Sequence, residues 1–131
     1  MNKATNSENK VIHLKAINLT EKAGLFEDRW SPKVVAEMND YQFKLAKLEG
    51  EFEWHKHDDT DEAFLIQESE LTIELSDGVV HLKAGDMYVV PKGVMHKPVA
   101  EKVCTVMIIE PKGVVNTGVV NERTAENDVW I

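Results

Sequence analysis

The chain of 131 residues carries 23 acidic side chains against 15 Lys and Arg, a formal net charge of −8. Hydrophobic residues make up 43% of it, which suits one domain with a buried core and not a disordered chain. No cluster of basic residues occurs, so a phosphate backbone would meet a repulsive field and nucleic-acid binding is not expected.

Residues 1–10, "MNKATNSENK", read as a disordered lead-in. They lack the apolar core of a signal peptide, and no later run is apolar enough to span a bilayer, so the expectation is a cytoplasmic protein with no membrane partner. "VIHLKAI" (11–17) is a strand candidate. In "NLTEKAGLF", Asn18 is a good N-cap, Glu21 can complete a capping box, and Gly24 limits the helix to a turn or two. "WSPKVVAEM" restarts extended structure and Asn39-Asp40 turns it. "YQFKLAKLE" alternates Tyr41, Phe43 and Leu45 against Gln42, Lys44 and Ala46, the period of a half-buried strand, and Gly50 is expected to break it.

Short strands then follow one another: "EFEWHKH", "EAFLIQE", "ELTIEL", "VVHL" after an Asp77-Gly78 hairpin turn, "MYVVP" and "KVCTVMIIE", closed by Pro111. Their number and their Gly, Pro and Asp turns predict an all-β antiparallel sandwich or barrel. Cys104, the single cysteine, lies in the apolar run "VCTVMII" and reads as a core residue of a protein from a reducing compartment.

Five histidines stand out: His13, His55, His57, His81 and His96. On a strand, His55 and His57 point the same way and their imidazoles converge. Glu62 opens the next strand after the acidic loop "DDTD", and His96 follows "PKGVM". Three imidazoles and one carboxylate suit a first-row divalent cation, although H-x-H alone is equally a surface pair. His13 and His81 read as surface or ladder residues.

Gly50, His55, His57, "DDTD" and Glu62, followed by Gly85, "DMYVV", Pro91, Gly93 and His96, resemble the paired motifs of the cupin superfamily. The chain looks most like small single-domain cupins of loosely defined function, which share an "EPKGVVNTG"-like stretch, here 110–118. Three departures occur: a shortened spacer from Gly50 to His55, Ser69 where the first motif has Gly, and Ala100 where the second often has Asn. The Ser69 departure implies a turn of different geometry. The resemblance implies a double-stranded β-helix over 11–118 with its motif core at 50–100, a short N-terminal helix, and a C-terminal tail over 119–131. It also implies His55, His57, Glu62 and His96 as ligands of a divalent transition metal: Fe, Mn, Ni, Zn, Co or Cu.

Four protein ligands on an octahedral ion would leave two positions open. The two-residue period aligns Phe64 and Ile66 with Glu62, and Pro98 and Ala100 with His96, giving a largely apolar wall. One face of the last strand, led by either Val103 or Cys104, completes it. Thr105 and Glu53 are the only polar helpers visible, and no second carboxylate or lysine is evident as a general base. An apolar wall suits a small, partly apolar ligand and not a sugar phosphate. The functional expectation is a metalloenzyme, an oxidoreductase of dioxygenase type or an isomerase; the alternative is a binding or sensing module whose metal is structural or absent. A homodimer is expected from edge strands and from the apolar residues Leu25, Phe26 and Trp30, which a small barrel would leave uncovered.

Overall fold

The computed structural model of the chain describes residues 3–5 and 11–131. Strand β1 (Lys3–Thr5) pairs antiparallel with β2 (Val11–His13) in a two-stranded sheet. The rest of the expected lead-in, 1–2 and 6–10, lies outside the described residues. Helix α1 (Leu19–Ala23) starts where Asn18 Oδ1 accepts the Glu21 N–H at 2.9 Å and ends at Gly24.

The remaining strands form one antiparallel sheet system: β3 (Lys33–Met38), β4 (Tyr41–Glu51), β5 (Glu62–Glu68), β6 (Glu70–Leu75), β7 (Gly78–Lys83), β8 (Met87–Val90) and β9 (His96–Pro111). Their pairing order is β3-β4-β9-β5-β8, and β6 joins β7 to the start of β9. The sixteen-residue β9 is the hub, because its first half pairs with β6 and its second half lies between β4 and β5. The result is a double-stranded β-helix barrel with an apolar interior that includes Leu48, Phe64, Ile66, Ile73, Cys104 and Val106. A second cluster, Phe26, Val35, Leu45 and Met107, is buried on the outside of the sheet, with Leu19 and Ala23 of α1 packed against it. Among the described residues no helix is long and apolar enough to cross a membrane.

Several local readings change. The alternation of β4 is real, but its polar set faces the barrel interior: Gln42, Lys44 and Ala46 are buried, and Tyr41 is exposed. Leu45 is buried as well, on the outer face, so both faces of this strand are covered. Gly50 does not break β4. It sits at φ 83 in a register shift against β9, and pairing continues to Glu51. Beyond Glu51, the last residue of β4, "FEWHKH" is not a strand: its ladder contact is a single bridge from His55 to His96, with Phe52 N–H donating to the Pro98 carbonyl beside it. Ser69 adopts φ 70, so the serine occupies the left-handed turn that glycine favours. Phe26 is buried and Trp30 stacks on Phe52 at 4.7 Å, which leaves only Leu25 of that trio strongly exposed.

The last residues return to the barrel. Val34 N–H donates to the Val129 carbonyl at 2.7 Å, Ile131 N–H donates to the Val34 carbonyl at 3.1 Å, and Gln42 Nε2 donates to Asp128 Oδ1 at 2.8 Å. The 119–131 segment therefore finishes the β3 edge and walls one side of the barrel.

Candidate metal centre

The register of β9 places His96 fully buried at the mouth of the barrel, and its bridge to His55 carries two backbone hydrogen bonds, of 3.0 and 2.9 Å. His57 lies two residues further along the same extended segment. Its carbonyl accepts the Gly93 N–H at 2.8 Å, which ties the His57 loop to the turn before His96. Gly93 takes φ 77 there, a conformation that favours glycine. Asp61 helps from the acidic loop, its Oδ1 accepting the Lys92 N–H at 2.8 Å. Glu62, the first residue of β5, turns inward with Phe64 and Ile66.

These elements bring the four expected residues together. His55, His57, Glu62 and His96 are all buried, and one ligand atom from each lies within 4.8 Å of all the others. Glu62 Oε1 is 3.3 Å from His96 Nε2 and 3.4 Å from His57 Nε2. Of the two other histidines, His81 stands apart from the group. His81 is exposed on the β6–β7 ladder, beside Thr72 Oγ1 at 2.9 Å, and the side chain of His13 lies outside what is described.

Donor and acceptor chemistry tests whether a cation fits. The Nδ1 atoms of His55 and His96 sit 2.9 Å from the carbonyls of Glu53 and Val94. A carbonyl only accepts, so each Nδ1 carries a proton, and in a neutral ring Nε2 is left with a lone pair. His96 Nε2 lies 3.3 Å from Glu62 Oε1, so a second ring proton or a cation must stand between the two. His57 Nε2 is buried with no hydrogen-bond partner. A cation among these atoms satisfies all of them, and backbone carbonyls on the far ring nitrogens are the usual orienting shell of metal-binding histidines. Burial, with the His96 ring beside it, lowers the His55 pKa from 6.5 to about 4 and keeps it neutral. For Glu62, burial alone would raise the pKa, but the His57 and His96 rings outweigh it and hold the carboxyl below its usual range.

Glu62 also lines a cavity with about 50 Å³ open to the centre of a water molecule. Trp30, Leu48, Phe52, Phe64, Pro98 and Ile108 form its apolar wall, and residues 114–128 form another side. Two charged side chains face into it that the strand pattern did not reveal, Lys44 from β4 and Glu110 from β9. Both are buried, with Lys44 Nζ 3.9 Å from Glu110 Oε2. Burial, then the neighbouring Glu62, raises the Glu110 pKa well above its ordinary value, with Lys44 opposing. The expected polar helpers lie elsewhere. Thr105 is on the outer face of β9, in the groove under α1, and the Glu53 carboxylate is taken by Asn121 Nδ2 at 2.7 Å.

Three comparisons agree with this architecture. The Cupin_2 family model, described as a cupin domain, matches residues 42–110, more than half of the chain. The uncharacterized protein YdbB of Bacillus subtilis (strain 168) is 37% identical over 81 residues, 61% of this chain and 72% of its own. A cupin-2 domain containing protein from Shewanella frigidimarina is 58% identical, with a TM-score of 0.73 over 73% of this chain and 94% of that one. Protein NMB1881 from Neisseria meningitidis is 31% identical, with a TM-score of 0.68 over 75% of this chain and 100% of that one. The chain belongs to the cupin family.

Proposed function

We propose that the protein is a small metal-dependent cupin enzyme. His55, His57, Glu62 and His96 hold a divalent transition ion, and a small, partly apolar molecule is transformed in the adjoining cavity. The observation that carries this reading is the convergence of four buried ligand atoms within 4.8 Å of one another, with the Nδ1 atoms of His55 and His96 held on carbonyls and His57 Nε2 without a hydrogen-bond partner. Mixed nitrogen and oxygen ligation suits Fe, Mn, Ni, Zn, Co or Cu without selecting among them. Bound there, the ion supplies Lewis acidity and, if redox-active, electron transfer.

The chain's own residues do the rest. The carbonyls of Glu53 and Val94 fix the His55 and His96 rings, and the Trp30–Phe52 stack and Phe64 exclude water from one side of the cavity. The charged pair Lys44 and Glu110 gives the cavity a polar end next to the ion, which supports a small-molecule site beside the metal. An oxidoreductase of dioxygenase type and an isomerase both fit the arrangement. Oxygen uptake by the Fe(II)-loaded protein, and solvent deuterium incorporation into candidate substrates, separate the two. Turnover in wild type and its loss in His55→Ala/His57→Ala are expected. A fully loaded protein that does neither with any substrate is a binding or sensing module.

A further inference from the structure

The interior charged pair has a position that the strand register explains. Gln42 pairs with Glu110 across β4 and β9, and Ala63 pairs with Ile109 across β9 and β5, so Glu110 lies one step beyond that pair, next to Glu62. Three buried polar side chains therefore run in a row across three strands, and Glu62 is the end that reaches the histidines. Lys44 is two residues along β4 from Gln42, on the same face.

Three polar atoms here lack hydrogen-bond partners: Gln42 Oε1 and Glu110 Oε2 of the row, and Lys44 Nζ beside it. Glu110 Oε2 is buried with no hydrogen bond, although its side chain is only 4% exposed and lines the cavity. Lys44 Nζ makes no hydrogen bond among the described residues, and its ion pair to Glu110, at 3.9 Å, is too long to be one. A buried acceptor and a buried donor left open to one cavity are costly unless something completes them.

We infer that Lys44 and Glu110 form a binding site for a small uncharged hydroxy-carbonyl compound, whose hydroxyl donates to Glu110 Oε2 and whose carbonyl oxygen accepts from Lys44 Nζ. Spacing and charge both favour this class. A hydroxyl and a carbonyl on adjacent carbons present a donor and an acceptor side by side, as the two protein groups do. Glu62, Glu126 and Asp128 line the same cavity with Glu110 against the single Lys44, so a ligand anion would enter an acidic neighbourhood. Trp30, Leu48, Phe52, Phe64 and Ile108 take the hydrocarbon part, and Asn116, Glu126, Asn127 and Asp128 make the C-terminal side of the wall polar. At roughly 10–15 Å³ of such space per water, the cavity holds about four waters, the size of a molecule with only a few heavy atoms. This inference rests on the small-molecule reading above, but not on the ion.

Hydroxyacetone is the probe, with acetone as the analogue that lacks the hydroxyl and lactate as the charged analogue. Binding is titrated by NMR on wild type and on Lys44→Met/Glu110→Leu, each both metal-loaded and chelator-treated. Metal content is measured on the same samples. Replacing both members of a buried pair by apolar residues of similar size leaves no orphan charge, so the variant is expected to fold. Wild type should bind hydroxyacetone at least about tenfold tighter than acetone, with or without metal, because a site built for a hydroxyl rejects the analogue lacking it. The variant should bind the two within about twofold while keeping wild-type metal content. The inference is overturned by no saturable binding of hydroxyacetone to wild type, by a preference that survives in the variant, by a preference that vanishes on chelation, or by tighter binding of lactate. Failure of untreated wild type to take up metal, with the preference intact, would count against the metal reading alone.

Discussion

Replacing Gly118 by Ala tests whether the C-terminal segment holds the histidine loop in place. Gly118 adopts φ 77, and a Cβ added there would lie 2.1 Å from the backbone carbonyl oxygen of Lys56, the residue between His55 and His57. An ordinary carbon–oxygen contact is about 3.3–3.6 Å, so one of the two backbones must move by more than about 1 Å. The left-handed conformation costs an L-residue about 1–2 kcal/mol, and forced overpacking adds about 1–3. The total of about 2–5 kcal/mol lowers the melting temperature by on the order of 10 °C for a domain of this size. Gly113→Ala is the matched control. Gly113 has φ 91 with nothing within 4 Å of an added Cβ, so only the backbone cost remains, about 1–2 kcal/mol. Thermal melts of both variants isolate the clash, and metal titration reads its effect on the site. Gly118→Ala should lose affinity by about tenfold or more, as substitutions that misplace ligands do, and Gly113→Ala should bind like wild type. Equal melting shifts in the two variants, with equal metal affinity, would refute the reasoning.

Three further outcomes follow from the same geometry. In metal-free protein the His55 pKa is lowered from 6.5 to about 4, so between those pH values the unfolded chain binds a proton that the folded one does not. Taken alone this costs at most about 3 kcal/mol of stability as pH drops from 6.5 to 4. The raised Glu110 pKa acts in the opposite direction over the same drop, so the His55 ring itself is followed by NMR. It should stay neutral in folded protein well below pH 6.5, and a folded midpoint near 6.5 would count against a buried neutral His55. Burial pushes the Cys104 thiol up to about 12, so native protein at pH 8 should resist iodoacetamide and react only when unfolded; rapid native labelling would mean the strand core is open. A homodimer remains our proposal. Among the described residues β8 pairs only with β5, and it exposes Met87 and Val89 on that edge. Sedimentation at micromolar concentration should show the dimer, and a single monomeric species would sink it.

The four residues of the candidate metal centre were legible because they sit in the paired motifs that resemble cupins, bracketed by turn glycines and a proline, and the structure brings them together. The charged pair was missed for a physical reason. Reading β4 as half-buried assigns its apolar set, Tyr41, Phe43 and Leu45, to the core, yet this sheet is covered on both faces, by the barrel interior and by α1 with Phe26. Gln42 and Lys44 share their face with Ala46 and Leu48, a weak signal without knowledge of the covering helix. Glu110 left a better one. From His96 the buried even-numbered positions of β9, those of the inner face, run 96, 98, 100, 104, 106, 108 and 110, so continuing the period past Ile108 reaches it. Thr105 misled because its outer face is also buried, and burial alone does not say toward which cavity a side chain points. The 119–131 segment carried no periodic signal, since it joins the barrel through isolated backbone hydrogen bonds and side-chain amides.

The most direct test of the account is the metal stoichiometry of tag-free protein, measured by elemental analysis and titration beside His55→Ala/His57→Ala. The apolar barrel does not need the ion to fold, so the double variant should keep its β-sheet circular dichroism and a cooperative melt. Wild type should hold one equivalent of a transition metal, and the double variant should hold none. A folded double variant that still binds one equivalent at wild-type affinity would contradict the assignment of the ion to His55, His57, Glu62 and His96.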